Sequence, residues 1–238
     1  MNTTRLYQTP GGCAYDVYLN MLQQPHLLIA GTTGAGKSVV INALMYTALY
    51  KPPGAVTFIL IDPKKVELSP FRYLPHAILY ADEPPARLYA FQAAVKLTEN
   101  RFTVMQRTGA RKYCGGDCYI IVDEWADLIT TQKTEILPLA QRLAQIGRAA
   151  KVHLIFATQT PIAKILPTEI KCNFDARLAL RTRSAQDSRN IIGRTGPETL
   201  PRYGYGYYFT PERDIITPLP MYSDTEIQQR VDFWKAQQ

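Results

Sequence analysis

The sequence has little cysteine and little histidine, and that bounds its chemistry first. Of its four cysteines, Cys13, Cys114, Cys118 and Cys172, only Cys114 and Cys118 lie close together, in Cys-Gly-Gly-Asp-Cys. A zinc site needs further ligands at similar spacing, and the three histidines, His26, His76 and His153, are scattered. The thiols therefore read as the reduced cysteines of a cytosolic protein, not as a disulfide framework. No apolar run approaches the ~20 residues that span a bilayer. The polar stretch from Met1 to Pro10 lacks the apolar centre of a signal peptide. The expectation is a cytoplasmic protein with no direct membrane insertion. Repeats, low-complexity tracts and linkers are also lacking. One domain is expected over 1–238, with a short lead-in over 1–24, a core over 25–210 and a C-terminal edge strand and helix over 211–238.

Acidic residues are outnumbered too, 20 against 27 Lys and Arg, for a formal net charge of +7. A basic balance suits a polyanionic partner, because Lys and Arg that neutralise phosphates release condensed counterions. Charge alone does not decide it, since many basic proteins bind no nucleic acid. The apolar share of 46% is ordinary for a globular core.

Short apolar runs alternate with longer amphipathic segments, which is the pattern of βαβ units. Strands are expected at His26 to Ala30, Val56 to Ile61, Tyr119 to Val122, Val152 to Ala157 and Ala176 to Leu180. Tyr207 to Phe209 with Ile215-Ile216 suggests an edge hairpin. Helices are expected over Ser38 to Tyr50, Ala86 to Arg107 and Glu135 to Arg148. Ser223-Asp224-Thr225-Glu226 is a capping box that opens a last helix, with Ile227, Val231 and Trp234 on one face. Near-continuous apolar strands imply a mostly parallel central sheet covered by helices on both faces, an α/β fold.

Gly31-Thr32-Thr33-Gly34-Ala35-Gly36-Lys37-Ser38 satisfies G-x-x-x-x-G-K-[ST] in full, between an apolar strand and a helix. In that setting backbone N–H groups from Gly31 to Val39 wrap the phosphates of ATP, helped by the helix dipole. Lys37 is expected at the β- and γ-phosphates and Ser38 on Mg²⁺. Tyr119-Ile120-Ile121-Val122-Asp123-Glu124 ends an apolar strand in two acids, where an open α/β sheet binds its ligand. Asp123 is assigned to the Mg²⁺ shell and Glu124 to general base for the attacking water. Phe156-Ala157-Thr158-Gln159 places Gln159 where it can sense the γ-phosphate and orient water, although a turn-capping role fits the spacing as well.

Beyond the P-loop, several segments resemble the motor of the FtsK/SpoIIIE family. Pro25 to Val39 is very close to the family's P-loop region. Ile61-Asp62-Pro63-Lys64-Lys65-Val66-Glu67-Leu68 is similar to its IDPK-x-VEL segment, and Val122-Asp123-Glu124-Trp125-Ala126-Asp127-Leu128 resembles VDE-F-ADL. Arg142 to Ala150 with His153-Leu154 resembles RLAQ-xx-RAA-x-x-HL, Ala157 to Pro161 resembles ATQRP, and Asp187-Ser188-Arg189 with Gly193 sits at the DSR run. The resemblance covers about residues 11–210.

This resemblance implies a RecA-like P-loop ATPase that assembles as a homo-oligomeric ring, usually a hexamer, around double-stranded DNA. A neighbour's arginine would complete each ATP site, with Arg148 first and Arg142 second by motif position. Read without the resemblance, an arginine near the end of such a helix is a solvated charge that suits the helix dipole. Arg181 to Arg189 resembles the family's channel-facing DNA loop, so Arg181, Arg183 and Arg189 are expected on the phosphate backbone, which carries no sequence information. For Lys64, Lys65, Arg111 and Lys112 a solvated face is the simpler reading. The sequence departs from the family where its DNA loop starts SSK, here Arg183-Ser184-Ala185, and where ATQRP has arginine, here Thr160. A stripped-down motor of a plasmid, phage or conjugative element is the expectation. An FtsK-like ATPase for protein secretion, or a DNA-binding adaptor without hydrolysis, are the alternatives. No motif names a recruiting protein.

Overall fold

A computed structural model of the protein describes residues 13–162 and 164–237. The polar N-terminal stretch and the Cys13 side chain lie outside the described residues. Cys114, Cys118 and Cys172 are free thiols, as the sequence suggests.

The centre is an eight-stranded sheet in the order β3-β2-β4-β5-β1-β6-β7-β8. Its strands are β1 (His26–Ala30), β2 (Val56–Ile61), β3 (Ala77–Ala81), β4 (Asp117–Val122), β5 (Val152–Thr158), β6 (Ala176–Ala179), β7 (Tyr205–Phe209) and β8 (Asp214–Pro218). β1 to β6 are mutually parallel, and β7 and β8 close one edge as the expected antiparallel hairpin. The helices are α1 (Cys13–Leu22), α2 (Lys37–Ala48), α3 (Pro84–Thr108), α4 (Trp125–Ile146), α5 (Thr168–Lys171), α6 (Ala185–Ile192) and α7 (Asp224–Lys235).

Alternation along the strands divides the core in two. Leu27, Ile29, Phe58, Leu60 and Ile121 face one way, against Met21 of α1, Leu44 of α2 and Val231 of α7. Leu28, Ile59, Ile120, Leu154 and Phe156 face the other way, against Phe91 of α3, Trp125 and Leu143 of α4 and Ile191 of α6. Each fully buried side chain of this size contributes roughly 1.5–3 kcal/mol. That two-sided burial is why the central strands read as unbroken apolar runs.

Four differences from the sequence reading have physical reasons. The lead-in holds α1, which docks on the core: Tyr18 is fully buried, and Tyr119 Oη donates to the Leu22 carbonyl at 3.0 Å. β3 was not expected; it is a half-exposed edge strand without a clean alternation. α4 starts at Trp125, ten residues before the expected Glu135, and is broken at Gln132, where φ is −137°. Just before the break, the Thr130 and Thr131 hydroxyls donate to the carbonyls of Ala126 and Asp127, both at 2.7 Å. Such back-bonding bends helices and masks their periodicity. The arginine segment is only partly a loop: Ser184 caps α6 by accepting the Asp187 N–H at 3.1 Å, so Arg189 stands on a helix.

The capping box forms as expected. Ser223 Oγ accepts the Glu226 N–H at 3.2 Å, and Glu226 Oε2 accepts the Ser223 N–H at 2.8 Å. Trp234 then anchors α7, donating from Nε1 to the Leu49 carbonyl at 2.8 Å. Among the described residues, no helix is long and apolar enough to cross a membrane.

Candidate nucleotide site

β1 lies between β5 and β6, and β5 separates it from β4. The C-terminal ends of β1, β5 and β4 therefore sit side by side. They present, in that order, the P-loop, Gln159 and the Asp123-Glu124 pair.

The loop from Gly31 to Ser38 is fixed at its start. The Gly31 N–H donates to the Thr158 carbonyl at 3.3 Å, and the Thr32 N–H to the Arg181 carbonyl at 2.9 Å. Gly34 and Gly36 take φ of +72° and +99°, a left-handed conformation that glycine adopts without steric cost. Gly36 is the N-cap of α2, which carries no side-chain cap and no acid in its first turn. Its first N–H groups are therefore placed to receive an anion. Lys37 is 8% exposed, and its ammonium donates to the carbonyls of Gly31 and Thr32 at 2.8 and 3.0 Å. Burial lowers its pKa to about 8, against the raising effect of Glu124 and Asp123.

The carboxylates meet this cradle across the sheet. Asp123 is 7% exposed, and burial raises its pKa to about 7, with Glu67 and Asp62 adding in the same sense. Glu124 is 4% exposed. Its Oε1 accepts the Gln159 N–H at 3.1 Å, and its Oε2 lies 3.5 Å from Lys64 Nζ. The Gln159 side chain turns the other way, where Oε1 accepts the Thr33 hydroxyl at 2.6 Å. A cavity of about 420 Å³ gathers Thr33, Gly34 and Gly36 to Val39 with Lys64, Glu67, Asp123, Gln159 and Tyr203.

The expected set of Lys37, Ser38, Asp123, Glu124 and Gln159 is thus brought together. Lys64 is exposed, as expected, but it also pairs with the buried Glu124. Glu67 and Tyr203 were missed. Glu67 lies within the IDPK-x-VEL match, which was a usable signal; Tyr203 has none in the sequence. Among the described residues, no three of His, Cys, Asp and Glu are grouped to hold a metal ion. A divalent cation here would need phosphate oxygens beside Asp123 and the Ser38 hydroxyl. Asp123 fits that role, because a buried carboxylate among other carboxylates gains from a cation.

The arginines fall in two places. Arg181 and Arg183 follow β6 and are exposed beside the P-loop, with Arg183 close enough to oppose the charge on Lys37. Arg189 is exposed on α6. Ser188 of that helix donates to Glu198 and shares a hydrogen bond of 2.7 Å with the Thr182 hydroxyl. Arg142 and Arg148 are exposed at the end of α4, where the chain turns into the start of β5. That is the opposite end of the sheet from the chain's own phosphate cradle. Arg148 shares an open cavity of about 600 Å³ with Arg111 and Lys112.

Comparison with known proteins gives the family and the fold. Over 91% of its length the chain is 34% identical to the DNA translocase FtsK of Rickettsia bellii, covering 35% of that protein. Over 98% of its length it is 33% identical to the DNA translocase FtsK of Caulobacter vibrioides, covering 34% of it. The chain thus spans about a third of these relatives. In fold it is similar to the conjugation coupling protein TcpA of pCW3, with a TM-score of 0.79, 20% identity and coverage of 90% of this chain and 66% of that one. It is also similar to the type VII secretion ATPase EccC of Thermomonospora curvata, with a TM-score of 0.71, 22% identity and coverage of 88% and 28%. The fold is that of P-loop ATPases. The FtsK/SpoIIIE family model matches residues 12–120 and 117–163, more than half of the sequence, and the chain belongs to the FtsK/SpoIIIE family.

Proposed function

We propose that this chain is the motor of an ATP-driven double-stranded DNA translocase, a cytoplasmic homo-oligomeric ring of six copies with residues 1–238 as one motor unit. One observation carries the reading. A P-loop, a buried acid pair and a polar sensor share one sheet edge, and Thr32 ties that edge to the arginine segment. The relatives of similar sequence are DNA translocases.

Lys37 and the P-loop amides hold the β- and γ-phosphates of ATP. Ser38 and Asp123 would hold Mg²⁺, which when bound would neutralise charge on the phosphates. Glu124, tied to the Gln159 N–H, takes the proton of the attacking water, and Gln159 orients that water. Arg148, with Arg142 second, completes the site of a neighbouring copy; its distance from the chain's own cradle supports a role in trans. Arg181, Arg183 and Arg189 contact the DNA backbone.

The test is the ATPase rate of the purified chain with and without long duplex DNA, beside Glu124→Gln. Duplex should stimulate hydrolysis, and the variant should lose roughly 10²–10⁴ in rate while keeping ATP binding. Hydrolysis indifferent to DNA would move the reading to a protein cargo.

A further inference from the structure

The chain between β6 and β7 leaves the P-loop at one residue and returns to it at another. It leaves where Thr32 holds the Arg181 carbonyl. It returns where Arg202 Nη2 lies 3.3 Å from the position a Cβ on Gly34 would occupy. The next residue, Tyr203, lines the phosphate cavity, and its ring centroid is 5.3 Å from the Arg202 guanidinium. Among the described residues, no carboxylate pairs with Arg202. A guanidinium without a paired carboxylate thus lies beside backbone that is itself shaped for an anion.

The position along the loop tells which phosphate it meets. Thr33, next to Gly34, is bonded to Gln159, whose own N–H holds Glu124. That is the end of the loop where water attacks. In the proposed nucleotide site the nucleoside would lie toward the other end, near Ser38 and Val39, which also line the cavity.

We propose that Arg202 binds the terminal phosphate of ATP in the chain's own site, a cationic contact in cis distinct from any arginine supplied by a neighbouring copy. The assignment rests on the nucleotide-site reading above. It gives the site a way to distinguish ATP from ADP that does not require the ring to be closed.

The experiment titrates the full chain with ribose-labelled fluorescent ATP and ADP in the presence of Mg²⁺, using wild type, R202A and R202K. R202A should lose roughly ten- to hundredfold in ATP affinity, the value of a charge-assisted contact, and under about threefold for ADP. R202K, which keeps the charge and most of the stem, should lie between. Thermal melting of each variant separates lost contact from lost fold, and a melting R202A leaves the decision to R202K. Unchanged ATP affinity, or equal loss for ATP and ADP, would overturn the assignment while the nucleotide-site reading stands. A wild-type chain that binds neither nucleotide would overturn both.

Discussion

Thr32 and Arg181 are joined twice: the Thr32 N–H and its hydroxyl both donate to the Arg181 carbonyl, at 2.9 and 3.2 Å. The second residue of the phosphate loop is therefore tied directly to the first residue of the arginine segment proposed to meet DNA. Thr32→Val keeps the N–H bond and removes the hydroxyl bond, a net loss of about 0.5–1.5 kcal/mol. The ratio of duplex-stimulated to basal ATPase rate should fall at least about twofold, whatever the basal rate does. An unchanged ratio would show that this contact does not carry the coupling.

Gly31 is needed for space. A Cβ there would meet Leu180 Cβ at 2.7 Å and the Arg181 carbonyl at 3.3 Å, neither of which is the end of a flexible side chain. Gly31→Ala should cost about 1–3 kcal/mol. A drop of several degrees in melting temperature, with weaker ATP binding, is the expected result.

A role in trans for Arg148 can be separated from a structural one by mixing subunits. If the proposed ring forms, Lys37→Ala and Arg148→Ala copies should each be inactive alone. Mixed rings contain interfaces with one intact cradle and one intact arginine, so a fraction of the hydrolysis should return. If Arg148 serves only its own chain, mixing restores nothing. The same test with Arg142→Ala ranks the two candidates.

His26 sets an acid limit on the fold. It is 2% exposed, accepts the Leu154 N–H at Nδ1 at 3.0 Å, and its Nε2 lies 3.0 Å from the Ala144 carbonyl. Burial lowers its pKa to about 4, His153 adds to the shift and the Ala144 carbonyl opposes it. The folded state therefore resists a proton that the unfolded chain takes up near its ordinary value of 6.5. The associated stability is complete above that value and is lost as pH falls toward about 4, an effect of about 3 kcal/mol. Denaturant unfolding at pH 7 and pH 5 should show about 2 kcal/mol of this loss in wild type. His26→Gln should be less stable at pH 7 and change less with pH.

Legibility in the sequence followed burial and locality. β1, β2, β4 and β5 are enclosed on both faces, so their apolar runs announced them, and the P-loop and acid pair were legible because each is one short segment at a strand end. β3 was hidden because an edge strand mixes exposed and buried positions. The first half of α4 was hidden by Thr130, Thr131 and the break at Gln132. α6 opens on polar residues and shows only Ile191 and Ile192 to the core. Arg202 and Tyr203 lie far along the sequence from the phosphate loop, and only the return of the chain after β6 brings them to it. No local pattern could report that approach.

Gln159 has its two halves tied to different partners, the side chain to Thr33 and the backbone N–H to Glu124. A residue held at both ends behaves as an interlock. Glu124, the proposed general base, is thus joined to the phosphate loop through the backbone and side chain of one residue, so displacement of either strains the other. The proposed hydrolysis and the grip on nucleotide are thereby linked within one chain, apart from whatever a neighbouring copy adds.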